Sequence, residues 1–366
     1  MASTVAHNTF NPTTSSQQVP DTALTLLQPS IHSPNLILTS FTTPNLSTLP
    51  PSSHLIRVYT TSPCAGELTW AANFPSLVPS TKPQIPCYDL AGIVVSAPPG
   101  SKFPAGTKVW TRTSAERSGN AREYSVALEA ELARIPEGLG WDEAASMPLS
   151  ALTAWQALFD KGGLVAPGGE DVDLKKNGKN SVLIDAASGG VGVLLVQIAK
   201  AAGVGRVIGV CSTGNVDLVK GLGADEVLDY RKIGIEEYFA SGSGRKKVDL
   251  AIDLLGGKSL ESCWRVVGKG GRVVSVREPP DGRKPETGIE DGVQGSFFVM
   301  EPLGWQLELF GRLVVEGKIR AVVDSVWKLE EYEKAFERVE SGHAKGKLWV
   351  SAAELDESGW AALAYA

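Results

Sequence analysis

Residues 180–200 read Asn-Ser-Val-Leu-Ile-Asp-Ala-Ala-Ser-Gly-Gly-Val-Gly-Val-Leu-Leu-Val-Gln-Ile-Ala-Lys, and this stretch decides the fold. A strand-length apolar run at 181–185 leads into a turn of small residues at 186–192, and an apolar segment of good helix formers follows at 193–200. Small residues at such a turn let backbone N–H groups approach a pyrophosphate, whose negative charge the helix N-terminus favours. The stretch therefore predicts a dinucleotide-binding strand–turn–helix unit.

The residues after the next predicted strand, 206–211, indicate which dinucleotide binds. NAD-binding units usually carry Asp or Glu about 20 residues after the glycines, where the acid holds the ribose 2′-hydroxyl. Here residues 211–215 read Cys-Ser-Thr-Gly-Asn, without an acid. Their hydroxyl and amide groups can bind a 2′-phosphate, which a carboxylate would repel, and Arg231 can add positive charge. The sequence thus favours NADP(H) over NAD.

Length and composition exclude several classes of protein. A chain of 366 residues suggests two domains. The net charge of −6 and the absence of a Lys/Arg cluster argue against a nucleic-acid partner. The longest apolar runs are strand-sized, so no membrane span is expected. The four cysteines are too scattered for a disulfide framework, which favours a reducing, intracellular setting.

The two ends of the chain suggest where the protein is found. No Lys or Arg precedes Arg57, which argues against a signal peptide and against an Arg-rich mitochondrial transit helix. Residues 1–20 are rich in Ser, Thr, Asn and Gln and are expected to form a flexible tail. The final Ala-Tyr-Ala is not a peroxisomal address. We therefore expect a cytoplasmic protein.

Two kinds of pattern divide the chain. Residues 22–126 contain short β segments separated by Pro, Gly and Ser, with almost no helical periodicity. Beyond Arg231, further strands are expected at 248–254, 271–276 and 296–300, alternating with helices. The pattern predicts a mostly β domain formed by 21–155 and 318–366, and an α/β dinucleotide-binding domain formed by 156–317.

The order and spacing of several motifs carry a family resemblance. The chain resembles the medium-chain dehydrogenase/reductase superfamily, in its zinc-free quinone-oxidoreductase and enoyl-reductase-like branch. The matching motifs are Glu-Leu-Thr-Trp at 67–70, Tyr-Asp-Leu-Ala-Gly at 88–92, Pro-Leu-Ser-Ala-Leu-Thr-Ala-Trp at 148–155, the turn at 186–192, Leu-Gly-Ala-Asp at 222–225 with Asp-Tyr at 229–230, and Gly-Gly-Arg at 270–272. The resemblance covers about 22–350. It implies a GroES-like substrate domain, completed by the C-terminal segment, and an inserted Rossmann domain with a doubly wound parallel sheet.

The same resemblance predicts that no metal is bound. Catalytic zinc in the superfamily needs Cys, His and Cys, which leave one coordination position open. Cys64 stands at the first of these positions, but Tyr88 replaces the histidine and Leu149 replaces the second cysteine. One ligand of three cannot hold catalytic zinc, and the cysteine-rich lobe of structural zinc is also missing.

The resemblance also implies which residues line the site. Together with the glycine turn, the loop after the second strand and Arg231, the resemblance gives these candidate cofactor contacts: Thr153, Ser188, Gly189, Gly190, Val191, Gly192, Ser212, Thr213, Asn215, Tyr230, Arg231, Leu255, Gly256, Arg277, Glu278 and Phe298. Candidates for the substrate wall are Cys64, Trp70, Phe74 and Tyr88, with Tyr88 also the candidate proton donor. Thr153 could instead serve helix packing, and each aromatic residue could belong to the core.

Without zinc, the chemistry left is hydride transfer to an electron-poor carbon. The first hypothesis is an NADPH-dependent reductase of α,β-unsaturated carbonyls or quinones, which are small-molecule substrates. The second is a trans-acting enoyl reductase that serves a polyketide-type synthase, and the third is a non-enzymatic NADPH-binding protein. A homodimer is compatible with each of them.

Overall fold

The computed structural model describes residues 19–169, 172–241 and 246–351. The predicted tail therefore lies almost wholly outside the described residues. The strands are β1 Thr22–Leu27, β2 Ile37–Thr42, β3 Ser53–Ser62, β4 Asp89–Ser96, β5 Lys108–Arg112, β6 Tyr124–Leu128, β7 Ala133–Arg134, β8 Ser181–Ile184, β9 Arg206–Cys211, β10 Glu226–Asp229, β11 Val248–Asp253, β12 Val267–Ser275, β13 Gln294–Phe297, β14 Val323–Lys328 and β15 Lys347–Ser351.

The helices fill the connections between these strands. They are α1 Trp70–Asn73, α2 Trp141–Ser146, α3 Pro148–Trp155, α4 Gly192–Ala201, α5 Val216–Gly221, α6 Ile235–Ser241, α7 Gly257–Val266, α8 Gly304–Val315 and α9 Tyr332–Glu340. A π-helical turn, Gln156–Lys161, continues α3. Pro148 begins α3 because its fixed φ and missing N–H suit the first helical position.

The second half of the chain forms a six-stranded parallel sheet in the order β10-β9-β8-β11-β12-β13. The order reverses between β8 and β11, which lie side by side at the centre. Ligands of doubly wound sheets bind outside the carboxyl ends of the strands at such a reversal. The predicted α/β fold with a doubly wound sheet is confirmed.

The first part of the chain forms a mixed sheet that the C-terminal strands complete. Its order is β14-β15-β3-β4-β5-β7, with β6 also paired to β3. The two-stranded ribbon β1–β2 stands beside it. The exchange of strands between distant parts of the chain agrees with the GroES-like domain that the resemblance implies. The exact domain boundaries stay a prediction.

One hydrophobic core crosses from one sheet to the other. Trp110 of β5 packs against Phe310 of α8, with ring centroids 6.0 Å apart. The same buried cluster includes Trp155 of α3 and Leu195 of α4. Since α4 is apolar on nearly every face, it is covered on all sides. The shared core fixes the cleft between the two sheets.

Candidate dinucleotide and substrate site

Most of the predicted cofactor residues lie along one edge of the parallel sheet. Each group follows the carboxyl end of a strand: 188–192 follow β8, 212–215 follow β9, 230–231 follow β10, 255–256 follow β11 and 277–278 follow β12. Carboxyl ends of parallel strands meet at the same edge, so the structure brings these residues together.

The glycine turn is tightly packed on one side and open on the other. A Cβ at Gly192 would lie 2.2 Å from the carbonyl oxygen of Ala186, so this position needs glycine for close packing of α4 against the turn. A Cβ at Gly189 would meet only the same oxygen, at 3.4 Å. Space for a ligand therefore exists over Gly189, at the start of a helix whose first N–H groups lack intrahelical partners. The turn fits a pyrophosphate.

Side chains at the carboxyl ends of β9 and β10 form a hydrogen-bonded loop beside the glycine turn. The Asn215 amide donates hydrogen bonds to Ser188 Oγ at 3.0 Å and to Ser212 Oγ at 3.2 Å, which ties this loop to the glycine turn. The Asp229 carboxylate accepts from Thr213 Oγ1 at 2.7 Å, and this bond is the main reason why its pKa is lowered. The exposed Arg231 adds a cation to the same loop.

The strand ends at β11 and β12 are held by two carboxylates. Asp253, fully buried, accepts from the Gly256 N–H at 2.9 Å and from Ser275 Oγ at 2.7 Å. Glu278 accepts from the Gly257 N–H at 2.6 Å, at the first residue of α7. The carboxylate of Glu278 thus stabilises the turn beside the cleft, whereas Leu255 is 59% exposed and free to contact a ligand.

The predicted contact at Phe298 needs correction. Strand β13 ends at Phe297, three residues earlier than the predicted run at 296–300. Phe298 then turns into the core and is only 7% exposed, with the Lys161 ammonium 6.0 Å from its ring centroid. Its neighbours Phe297 and Val299 are 40% and 50% exposed. Any side-chain contact with the cofactor at this strand end therefore comes from these neighbours.

Lys347 links the glycine turn to the substrate domain. Its stem lies over Gly190, where an added Cβ would be 3.0 Å from Lys347 Cδ. Its ammonium donates to the Pro63 carbonyl at 3.2 Å and lies 3.5 Å from Asp89 Oδ2. The other oxygen of Asp89 accepts from the Leu149 N–H at 2.8 Å. These contacts join the strand β15 to both sides of the cleft.

The groups around this ammonium have shifted pKa values. Burial raises the pKa of the Cys64 thiol to about 11, that of Glu67 to about 8 and that of Asp89 to about 6. Burial also opposes the charge on Lys347, but Asp89 and then Cys64 and Glu67 outweigh it and raise the pKa of Lys347. The cluster therefore keeps a cation inside the protein and keeps the Cys64 thiol protonated.

These residues do not fit zinc. Of the three positions that the resemblance assigns to catalytic zinc, only Cys64 carries a usual zinc ligand, because Tyr88 replaces the imidazole and Leu149 offers no side-chain donor. Lys347 already supplies a cation to Asp89. In the part of the chain that the structure describes, no group of three His, Cys, Asp or Glu residues could hold a metal ion.

Replacing Lys347 by Met should destabilise the protein in a pH-dependent way. Lys347 lowers the pKa of Asp89, so at pH 8 the variant must bury Asp89 either as a carboxylate without its cation or with a proton that the unfolded chain does not bind. Loss of one partner of a buried ion pair typically costs about 3–5 kcal/mol. Below pH 6, Asp89 binds a proton in the native state, so the loss should shrink. Urea unfolding of both proteins at pH 5 and pH 8 measures this difference.

The control for this variant is Lys345→Met, at an exposed lysine two residues away. An equal loss of stability in Lys347→Met at both pH values would contradict the assignment.

Two residues of the predicted substrate wall, Trp70 and Tyr88, are in contact. The Tyr88 ring stacks on Trp70 with centroids 5.7 Å apart, and the Arg112 guanidinium lies 5.5 Å from the Tyr88 centroid. Tyr88 is buried, and its hydroxyl accepts a hydrogen bond from Lys82 Nζ at 2.8 Å. Phe74, which follows α1, is half exposed. The phenol is therefore held in place and does not project freely into solvent.

Thr153 lies on α3 and is buried. Its hydroxyl donates to the Leu149 carbonyl at 2.7 Å, one turn back in the same helix. The hydroxyl proton is thus used in a hydrogen bond within the helix. Only the lone pairs of the oxygen could still accept a hydrogen bond from a cofactor. This geometry suits the packing alternative at least as well as the cofactor contact.

Sequence reasoning missed Lys82, Asp253 and Lys347 as members of the site. Lys82 lies in a Pro- and Ser-containing loop without periodicity, so nothing local distinguishes it. Asp253 is the second-last residue of the predicted strand 248–254, and its position shortly before the glycines was a usable signal. Lys347 follows Gly346, whose φ of 78° and whose missing Cβ allow close approach to Val322.

Known proteins agree with the fold. The family model described as zinc-binding dehydrogenase matches residues 222–350. A protein of Arthroderma benhamiae named "Probable zinc-binding oxidoreductase, mitochondrial" is 43% identical over 334 residues, which cover 91% of this chain and 94% of that protein. The "Chloroplast envelope quinone oxidoreductase homolog" of Arabidopsis thaliana is 35% identical, covering 75% of this chain and 81% of its own.

A solved structure has the same fold. The quinone oxidoreductase from Coxiella burnetii superposes with a TM-score of 0.77 at 26% identity, covering 90% of this chain and 99% of that one. The fold and the relatives together indicate an NAD(P)-dependent oxidoreductase. The chain belongs to the medium-chain dehydrogenase/reductase superfamily and is quinone oxidoreductase-like.

The expected cytoplasmic location is wrong. The relative from Arthroderma benhamiae is named mitochondrial, and so are the "NAD(P)H oxidoreductase RTN4IP1" proteins of zebrafish, mouse and human, at 32% identity. The expectation rested on missing basic residues before Arg57, and that single feature does not decide location. As a separate matter, none of the helices within the described ranges is long and apolar enough to span a bilayer.

Proposed function

We propose that this protein reduces α,β-unsaturated carbonyls or quinones with NADPH and without a metal. The observation that carries the proposal is the cluster of Lys347, Asp89 and Leu149, at the position where the resemblance places zinc in metal-dependent members of the superfamily. There Lys347 supplies a fixed cation to Asp89, and Leu149 offers only a backbone N–H. Such a cleft has no Lewis acid with which to polarise a saturated alcohol.

Conjugated acceptors suit this cleft because hydride adds to an electron-poor carbon, so no hydroxyl group has to be polarised. In its reduced form, a bound dinucleotide would supply the hydride. The chain's own residues hold the reacting groups close together, exclude water and place hydrogen-bond donors where negative charge develops. Tyr88 is the donor that we assign to the oxygen of the substrate, on the basis of its position beside Trp70.

A substrate panel tests the proposal. Purified protein, freed of metal and checked by elemental analysis, is assayed by loss of NADPH absorbance with linear enones, alkenals and quinones, and by NADP⁺ reduction with simple alcohols. Turnover of conjugated acceptors without stoichiometric zinc supports the proposal. Efficient oxidation of alcohols, or activity that requires one zinc per chain, contradicts it. Binding of NADPH without turnover of any acceptor would indicate the non-enzymatic alternative.

The cofactor preference gives a separate prediction. Wild type should bind NADPH more tightly than NADH, because the loop at 212–215 offers hydroxyl and amide groups and Arg231 lies near it. Ser212→Asp should weaken NADPH binding about tenfold or more through charge repulsion, and should improve NADH binding by offering a partner to the 2′-hydroxyl. Fluorescence titration measures both affinities. Ser212→Ala is the uncharged control, and a wild type that prefers NADH would refute the prediction.

We also propose a mitochondrial location, which the names of several relatives support. A full-length chain with a C-terminal fluorescent tag should co-localise with a mitochondrial marker. A diffuse distribution through the cell would contradict it.

A further inference from the structure

The side chain of Lys82 is placed unusually for a surface-loop lysine. Its ammonium donates to the Tyr88 hydroxyl at 2.8 Å and to the Arg117 carbonyl at 2.7 Å. Both acceptors are neutral oxygens, and the ammonium also lies 5.1 Å from the Tyr88 ring centroid. A lysine that only stabilises a fold would gain more from a carboxylate partner, because a buried cation is costly unless it is paired.

The charged groups around Lys82 come from three segments of the substrate domain. Arg112 ends β5, Arg117 and Arg122 lie in the connection to β6, and Glu67 precedes α1. Burial lowers the pKa of Lys82 most, Arg112, Arg122 and Arg117 lower it further, and Glu67 opposes them. The result is a pKa of about 8. Near neutral pH, this amine can therefore both release and recover a proton.

Lys82 also connects two different environments. On one side it lines a pocket of about 490 Å³ together with residues of the β1–β2 connection and Gln84. On the other side it touches Tyr88, whose ring stacks on Trp70 of the predicted substrate wall. Burial raises the pKa of Tyr88, so a buried phenolate left after proton donation is unfavourable. Lys82 is in hydrogen-bond contact to replace the lost proton.

We propose that Lys82 is a positioning residue that holds the Tyr88 hydroxyl and resupplies its proton from the pocket. The inference rests on the proposed function. As hydride adds to the β-carbon of an enone, the π electrons move onto the carbonyl oxygen. Tyr88 passes its hydroxyl proton to that oxygen, the Tyr88 oxygen takes a proton from the Lys82 ammonium, and the Lys82 amine takes one from water in the pocket. The dinucleotide is oxidised, and the enone gains one hydride and one proton as an enol, which tautomerises to the saturated carbonyl.

The pH profile of kcat tests the relay. Wild-type kcat should fall above about pH 8, as the Lys82 ammonium loses its proton. Lys82→Met should lower kcat at pH 7 by at least about tenfold and remove this alkaline limb, with NADPH affinity unchanged. Lys82→Arg keeps an N–H donor toward Tyr88 but cannot release its proton, so kcat should stay low without a limb near pH 8. Lys102→Met, at an exposed lysine of the same domain, should keep the wild-type profile.

Two further readouts separate the relay from a structural role. The Tyr88→Phe/Lys82→Met double variant should be no slower than Tyr88→Phe alone, because both residues act in one step. Lys82→Met should unfold at the same temperature as wild type or higher at pH 7, because it removes a poorly compensated ammonium; a lower temperature would indicate a structural lysine.

The outcomes are distinguishable. If wild type reduces enones or quinones while Lys82→Met retains its kcat and its alkaline limb, the relay is overturned and the proposed function stands. If wild type reduces none of them, the proposed function fails and the relay with it.

Discussion

Replacing Gly189 by Val should weaken NADPH binding at least about 100-fold while the fold survives. This factor corresponds to about 2.8 kcal/mol. The expected fold tolerance follows from the turn, since a Cβ at Gly189 meets only one oxygen, at 3.4 Å. The loss of binding follows because branched carbons would fill the space that the pyrophosphate needs. Isothermal titration with NADPH and thermal unfolding of the same sample measure both quantities.

Gly192 provides the matched control for this variant. A Cβ there would lie 2.2 Å from a backbone oxygen that cannot move freely, so Gly192→Ala should lose stability by about 1–3 kcal/mol. The two glycines of one turn should thus give opposite phenotypes, one in binding and one in stability. Unchanged NADPH affinity in Gly189→Val would place the cofactor elsewhere.

Replacing Tyr88 by Phe should lower kcat by about 10²–10⁴-fold with NADPH affinity nearly intact. That range is typical of a positioned general acid. The variant keeps the ring that stacks on Trp70 and removes only the hydroxyl that Lys82 holds. Steady-state kinetics with an enone or a quinone measure the effect.

Tyr59→Phe is the control for Tyr88. Tyr59 stacks on Trp141 in the same domain, with centroids 4.7 Å apart, so its variant tests loss of a phenol outside the site. It should keep the wild-type kcat. If Tyr88 is only part of the wall, its variant should instead change mainly KM, and by a much smaller factor.

The fold could be predicted because its signals are local. The run at 181–185, the small residues at 186–192 and the following helix are contiguous, and strand ends of a parallel sheet meet at one edge whatever the details. Ser188, Asn215 and Leu255, which follow strand ends, lie at that edge, and their contact with a cofactor stays a prediction. Phe298 lies in the core, because β13 ends three residues earlier than predicted and its neighbours are the exposed side chains.

The contacts of Lys347 with Asp89 and Pro63 could not be predicted, because these residues come from distant parts of the chain. Lys347 meets Asp89 and Pro63 only after β15 has joined β3. No periodicity connects such positions, and a lysine before an apolar run usually indicates a solvated strand end. Lys82 was missed for a related reason, since its partners Tyr88 and Arg117 are brought to it by the sheet and not by sequence spacing.

The place of β15 in the mixed sheet constrains the order of folding during synthesis. The parallel sheet uses one contiguous segment, so its strands can pair as soon as β13 has left the ribosome. The mixed sheet cannot be completed at that stage, because β15 covers part of an edge of β3 and brings Lys347 to the glycine turn. Until then β3 presents unpaired backbone groups, which are prone to pair with other chains. Ribosome-stalled chains that end before residue 347 should therefore contain a folded nucleotide-binding unit beside an unfinished substrate domain.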